Sequence, residues 1–272
     1  MRVLVTGGRG FIGSALIESL RDKHEVKSLD IGVGASVKHL GVSYIRGCCS
    51  EIHTLDYFKP DVVVHLGEYS RVQQSYIEPL KAMQNISSTL PFVLEYCRRN
   101  SVKLVYAGSS TKFGNALSPY SIAKAANTEL VKAFCEMYEM PYAITYFYNA
   151  YGAGEIATGK YATVVAKFIK AKKSSTTVNI YGSGMQKRNF THVKDIVSGI
   201  DLVIQKGKGD GYSIGCRDKY SVLDLAKMIG VKYRLVDDMA GNRTTAHIDT
   251  SKTEGLGWQA TRTLEGYIDE NR

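Results

Sequence analysis

The sequence predicts an α/β fold: a doubly wound parallel sheet with a smaller C-terminal α+β lobe. Three observations carry that reading. Short apolar runs alternate with helical patterns through the first half of the chain, which is how successive βαβ units read. Two of the runs, Asp61–Leu66 and Lys103–Ala107, are almost continuously apolar, as strands covered on both faces should be. A glycine-rich turn follows the first run and opens the first helix.

The elements follow in order. Arg2–Val5 is the first strand, a helix runs from about Gly10 to Arg21, and Val26–Asp30 is the second strand. Tyr44–Arg46 and Val62–Leu66 are the next strands, followed by one helix through Leu80–Asn100. Lys103–Ala107 returns to the sheet, Tyr120–Tyr138 is a long helix, and Tyr142–Phe147 closes the first half. The second half is more irregular, with turn signals at Gly152–Gly159, Gly182–Gly184 and Gly207–Gly211. Residues 1–150 are therefore expected to form a dinucleotide-binding domain, with returning segments from about 186–216. Residues 151–185 and 217–272 are expected to form the substrate lobe.

Composition bounds the function class. The chain has 272 residues, 44% hydrophobic and 22% charged, ordinary for a soluble globular protein. No apolar run is long enough for a membrane span, and because Met1–Val5 leads directly into Thr6-Gly7-Gly8, no secretory leader is expected. The five cysteines, Cys48, Cys49, Cys97, Cys135 and Cys216, include no C-x-x-C. Reduced thiols, a cytoplasmic location and no metal site are expected. The 35 basic residues outnumber the 26 acidic ones by +9, but they are spread along the chain. A solvated basic face that attracts a diphosphate-bearing small molecule explains the excess without nucleic acid.

Thr6-Gly7-Gly8-Arg9-Gly10-Phe11-Ile12-Gly13 satisfies both G-x-x-G-x-x-G and G-x-G-x-x-G. Between a strand and a helix, Gly7, Gly10 and Gly13 allow a tight turn and close backbone approach to a pyrophosphate. That anion then sits on the free N–H groups of the helix N-terminus. Asp30, closing the second strand, stands where a carboxylate accepts from a ribose 2′-hydroxyl and repels a 2′-phosphate. The sheet is thus Rossmann-type and the expected cofactor is NAD.

Tyr120-Ser121-Ile122-Ala123-Lys124 names a reaction. On a helix the two outer residues lie on one face, a turn apart. A free phenol has a pKa near ~10, and a close opposite charge lowers a pKa by roughly 1–3 units. A phenol tuned by Lys124 is a general base for an alcohol proton. Ser109-Ser110-Thr111 lies shortly upstream.

With the fingerprint, His65-Leu66-Gly67, the serine cluster and Tyr120/Lys124 in this order, the chain resembles the extended short-chain dehydrogenase/reductases. Within them it is most similar to the NAD-dependent epimerase/dehydratase family, and to UDP-glucose 4-epimerases in particular. The resemblance extends to Tyr148-Asn149-Ala150-Tyr151-Gly152, to Gln186–Asp195 and to Asp249–Lys252 leading into Leu256-Gly257-Trp258. It implies Tyr120 as acid/base at the sugar C4 oxygen, Lys124 on the nicotinamide ribose, and Ser109 donating to the same C4 oxygen. It also implies that Gly7, Gly10, Phe11, Ile12, Gly13, Asp30, Leu66, Gly67 and Asn85 contact the cofactor. Ser110, Asn149, Arg188 and Arg243 would contact the substrate, a UDP-sugar by the same resemblance, and His65 and His192 would be structural.

Within the family, 4,6-dehydratases carry an Asp-Glu pair after the serine or threonine. Here Ser110 and Thr111 stand there, and neither supplies the carboxyl groups that water elimination needs. The expected activity is UDP-glucose/UDP-galactose-type 4-epimerisation. A 4,6-dehydratase or 4-keto-sugar reductase of the same fold is the second reading, and a non-catalytic NAD- or nucleic-acid-binding relative the third. A homodimer through the helices of 80–100 and 120–138 is expected. Three departures stand out: a short approach from Gly114 to Tyr120, Cys48-Cys49 where the family has G-D-[ILV], and Glu68-Tyr69 in place of small residues.

Overall fold

Arg2–Thr6 (β1), Phe11–Leu20 (α1), Glu25–Asp30 (β2) and Ser43–Arg46 (β3) open the fold, here a computed structural model that describes residues 1–32, 39–113, 117–238 and 248–271. Val62–His65 (β4) follows a 3-10 segment, Cys49–Phe58. Three helices, Val72–Ile77 (α2), Pro79–Ser87 (α3) and Leu90–Asn100 (α4), then lead into Lys103–Ala107 (β5). The long helix Pro119–Met137 (α5) precedes Tyr142–Phe147 (β6) and the two-residue strand Ala150–Tyr151 (β7).

The expected single helix over Leu80–Asn100 is two, parted at Ser88–Thr89. Pro91 is the cause. It lacks an N–H, and its ring would meet the carbonyl four residues back in a continuous helix, so it sits instead in the first turn of α4.

The second half comprises Val164–Lys173 (α6), Val178–Tyr181 (β8), Lys187–Asn189 (β9), Thr191–His192 (β10) and Val193–Lys206 (α7). Gly209–Ile214 (β11), Lys219–Ser221 (β12), Val222–Ile229 (α8) and Tyr233–Val236 (β13) follow, with Ser251–Glu254 (α9) and Leu264–Asn271 (α10) last.

Seven strands form one sheet in the order β11-β6-β5-β4-β1-β2-β3, and every pairing in it is parallel. The order reverses at β1, where β2 lies on one side and β4 on the other. Ligands of open parallel sheets bind at the carboxyl ends of the strands beside that reversal. Alternation within each strand feeds two cores. Leu4, Val63, Leu104 and Ile144 pack with α4, α5 and the 3-10 segment. Val3, Val5, Val62, Val64 and Val105 pack with α1 and α7. Covering both faces is why Val62-Val63-Val64 is buried throughout.

A third core joins Phe168, Ile180, Phe190, Leu225, Ile229, Leu264 and Ile268 under the short strand pairs β7–β10, β9–β12 and β8–β13. Asp195 fastens this end to the sheet. Its carboxylate accepts from Thr261 N at 3.1 Å, Thr261 Oγ1 at 2.8 Å, Arg262 N at 3.0 Å and Arg262 Nη1 at 3.1 Å. Its carbonyl accepts from Trp258 Nε1 at 2.8 Å. The Asp195 and Trp258 motifs are thereby one structural joint.

Candidate active site

At the carboxyl end of β1, Gly7 adopts φ +72°, and a Cβ there would lie 2.7 Å from the Leu66 carbonyl carbon. A Cβ on Gly13 would lie 2.2 Å from Gly7 O. Only glycine fits either position, so the loop backbone is drawn tight against the strand ends. Gly10 is the N-cap of α1, and no side chain caps that helix, which leaves its first N–H groups suited to an anion. Phe11 and Ile12 are partly buried against the α1 core. Asp30 is buried, with Oδ2 accepting from Arg9 N and Oδ1 from Gly32 N, each at 2.9 Å. These residues fit a dinucleotide: a cradle without Cβ atoms, an open helix terminus, and a fixed carboxylate at the end of β2.

The second half of the site rests on α5. Ser118 Oγ accepts from Ser121 N at 3.0 Å while Ser121 Oγ accepts from Ser118 N at 2.8 Å, with Pro119 in the first turn. This reciprocal cap fixes where α5 begins. It places Tyr120 in the first turn, half-buried, with its N–H on Ser75 Oγ of α2 at 3.3 Å. Lys124 and Asn127 follow on the same face, both buried.

Lys124 does not stand free beneath the phenol. Its ammonium donates to Glu68 Oε2 at 2.5 Å, to Ala107 O at 2.5 Å and to Tyr106 Oη at 3.0 Å. Both charged side chains are only 5% exposed. Glu68 also accepts from Tyr106 Oη at 3.1 Å and from Asn127 Nδ2 at 3.1 Å, and its Oε1 faces His65 Nε2 at 3.4 Å. On its other nitrogen, His65 shares a 2.7 Å hydrogen bond with Thr6 Oγ1, which also accepts from Gly67 N at 3.2 Å. One chain of polar contacts thus runs from the glycine loop to the lysine.

The charges of this cluster support one another. Burial alone would raise the Glu68 pKa, but Lys124 and then His65 override it and keep the carboxylate ionised. Burial alone would lower the Lys124 pKa, and Glu68 raises it above the ordinary lysine value. For His65 burial again opposes the charge, yet Cys49 and Glu68 raise its pKa to about 9. Removing one partner of a buried ion pair typically costs ~3–5 kcal/mol, which is why such a carboxylate needs this many partners.

Ser109 and Ser110 are buried at the end of β5. Ser109 Oγ is 2.8 Å from Thr111 Oγ1. Asn149, exposed and at φ +31°, donates from its amide to Asn189 O at 2.8 Å. That links the end of β6 to the strand carrying Arg188, which is half-buried on β9. Asn85 is not drawn into the cluster: it is exposed on α3, and its amide donates to Lys81 O at 2.9 Å. Arg243 and residues 114–116 of the short loop lie outside the described residues.

A further set of contacts lies beside Tyr120. Arg71, the N-cap of α2, donates from Nε at 2.9 Å and Nη2 at 2.7 Å to Tyr161 O. Glu78 collects Tyr161 Oη at 2.8 Å, Tyr69 Oη at 3.1 Å and Lys160 Nζ at 2.9 Å. The segment following β7 is thereby tied to α2 and α3. The guanidinium of Arg71 is an electrostatic neighbour of Tyr120.

Sequence reasoning flagged Glu68 as a departure but missed its partners. Asn127 was legible as one turn beyond Lys124 on a face already in use. Arg71 gave no signal, because its contact is to a backbone carbonyl far along the chain. Among the described residues no group of three or more His, Cys, Asp or Glu side chains could hold a metal ion. None of their helices is long and apolar enough to cross a membrane.

Fold and site together define an NAD-binding enzyme of the Rossmann type with a helical Tyr/Lys pair. Residues 3–215 match the NAD dependent epimerase/dehydratase family, and the chain belongs to it. The mouse dTDP-D-glucose 4,6-dehydratase is 30% identical over 95% of this chain and 84% of its own length. The Dictyostelium discoideum dTDP-D-glucose 4,6-dehydratase is 27% identical over 84% of this chain, which spans 61% of that enzyme. Among solved structures, the UDP-N-acetylglucosamine 4-epimerase of Methanobrevibacter ruminantium superposes with TM-score 0.90 at 26% identity, covering 99% of this chain and 96% of that one. The Thermus thermophilus UDP-glucose 4-epimerase, solved with NAD, shares the fold at TM-score 0.93 and 23% identity, covering 100% and 97%.

Proposed function

We propose that this protein is an NAD-dependent nucleotide-sugar 4-epimerase of the UDP-glucose/UDP-galactose type. The observation that carries the choice of reaction is the pair following Ser109. Ser110 and Thr111 offer hydroxyl groups only, and Thr111 Oγ1 is engaged with Ser109. Elimination of water across a sugar C5–C6 bond needs a carboxyl proton donor and a carboxylate base, and neither position supplies one.

The glycine cradle and Asp30 would hold NAD, which would supply the hydride acceptor and donor when bound. Tyr120 takes the proton of the C4 hydroxyl as that carbon gives up its hydride. It returns the proton once the 4-keto sugar has turned and the hydride arrives on the other face. Ser109 donates to the C4 oxygen, and Lys124 meets the nicotinamide ribose. Ser110, Asn149 and Arg188 line the substrate side; Arg243, which the family resemblance adds to the substrate contacts, lies outside the described residues. The planar guanidinium of Arg188 suits two oxygens of a diphosphate.

Exposed Leu80, Met83, Phe92, Ile122 and Leu130 on α3, α4 and α5 support a homodimer through those helices. Light scattering on the purified protein tests that assembly. A cytoplasmic location belongs to the same reading.

The dehydratase relatives favour a second reading, a net 4,6-dehydratase. A panel of UDP-, dTDP-, GDP- and ADP-sugars decides between them. The epimerase gives an interconverted sugar pair with no net NADH, the dehydratase a product lighter by one water in mass spectrometry. Tyr120→Phe is expected to abolish turnover while leaving NAD binding intact. Retained turnover in that variant rules out the acid/base role.

A further inference from the structure

We propose that Glu68 is a positioning residue that competes with the nicotinamide ribose for Lys124, so that the cofactor is held exchangeably rather than permanently. The inference rests on the reading that Lys124 meets that ribose. An ammonium has three N–H groups, and those of Lys124 are matched by three acceptors: Glu68 Oε2 at 2.5 Å, Ala107 O at 2.5 Å and Tyr106 Oη at 3.0 Å. A ribose hydroxyl can be bound only by displacing one of them.

Glu68 is the charged acceptor among the three, and it can release the lysine without losing its other ties. Ala107 O belongs to the backbone of β5 and cannot withdraw without disturbing the strand end. Glu68 instead keeps other partners when the ammonium leaves: Tyr106 Oη at 3.1 Å, Asn127 Nδ2 at 3.1 Å and the His65 ring at 3.4 Å. Against burial, Cys49 and Glu68 raise the His65 pKa to about 9, and the ring when protonated faces the same carboxylate as a second counter-charge. Asn127 is itself fixed by a 2.8 Å bond to Ile86 O, which holds the alternative partner in place. The carboxylate is therefore stabilised with or without the lysine.

The cost falls on cofactor affinity. An ion-paired hydrogen bond to a carboxylate must be exchanged for one from the same ammonium to an uncharged hydroxyl, which keeps the charged donor but loses the attraction between the two buried charges. With a small side chain at position 68, no carboxylate would compete. Here the competition is internal and recurs at each binding event.

The test is equilibrium binding of NAD and NADH to the full chain after removal of co-purified nucleotide. Calorimetry and nicotinamide fluorescence are the readouts, so turnover is not needed. Glu68→Gln removes the charge but keeps an oxygen for Asn127. It is expected to bind NAD about tenfold tighter than the unmodified protein, the equivalent of one net charge-assisted contact. Glu68→Asp, which retracts the carboxylate by one methylene and keeps the buried charge, is expected to fall between the two. It serves as the measure if the glutamine variant does not fold. Lys124→Met is expected to weaken binding.

Unchanged or weaker binding in the Glu68 variants, with weaker binding in Lys124→Met, overturns the competition alone. Unchanged binding in Lys124→Met overturns the assignment of Lys124 to the ribose and the competition with it. Tighter binding in the Glu68 variants with weaker binding in Lys124→Met upholds both.

Discussion

The backbone N–H of Arg9 donates to Asp30 Oδ2 at 2.9 Å, so the tip of the glycine loop and the end of β2 are held in one arrangement. Gly32 N holds the other carboxylate oxygen at 2.9 Å. Each oxygen has a second lone pair, which leaves Asp30 able to accept from a ribose hydroxyl while its orientation stays fixed. Its negative charge would also repel a phosphate there. Asp30→Asn keeps an oxygen for one of the two backbone contacts and removes the charge. The variant is expected to lose about tenfold in NAD affinity and to gain at least as much for NADP. Fluorescence titrations with NADH and NADPH measure both, and an unaltered ratio of the two affinities would contradict this role.

His65 gives the stability a pH dependence of defined sign. Its pKa is raised from 6.5 to about 9 by Cys49 and Glu68 against the effect of burial. A group whose folded pKa lies above its unfolded value contributes stability that is fully present below the unfolded pKa. The contribution is lost as pH rises through the folded pKa. Urea unfolding midpoints are therefore expected to fall between pH 6.5 and about 9. In His65→Gln the decline over that window should flatten, and the variant should already be less stable below it. Equal slopes for the two proteins would place the titration elsewhere.

The physical range of each interaction decides what could be read from the sequence. Val62-Val63-Val64 was legible because burial on both faces removes polar residues from a strand, and the glycine cradle because Gly7 and Gly13 leave no room for a Cβ. The start of α5 was legible in outline, since Tyr120 follows Ser118-Pro119, the residues that cap it. The break between α3 and α4 could have been read from Pro91, but the apolar periodicity continued across it. Glu68 presents a different case. A carboxylate just beyond a strand reads as a surface residue, and its ion-pair partner Lys124 lies 56 positions away. The contact of Arg71 with Tyr161 spans 90 positions and ends on a carbonyl that every residue possesses. No local pattern encodes such pairings. They arise only once the sheet order has brought the ends of β4, β5 and β6 side by side.

Glu78 is the hub through which that order reaches the segment after β7. Hydrogen bonds from Lys160 and Tyr161 outweigh the small effect of burial and hold its pKa at about 2, down from 4.5. A depressed carboxylate pKa contributes stability present above the unfolded value and lost as pH falls through the folded one. Because Glu78 is partly exposed, the global contribution is small and the local one is the useful measure. Glu78→Gln removes the charge that holds Lys160 and weakens the acceptor for Tyr161 and Tyr69, leaving Arg71 as the main tie to this segment. Trypsin cleavage after Lys160 is expected to become several-fold faster in the variant at mildly alkaline pH, with little change in the global unfolding midpoint. Amide exchange of Tyr161 to Thr163 should quicken in the unmodified protein as pH falls from 4.5 toward about 2, once the intrinsic pH dependence of exchange is divided out. Cleavage at an unchanged rate would mean that Arg71 alone fixes the segment, and Arg71→Lys, which cannot offer the paired donors, would then be the variant that frees it.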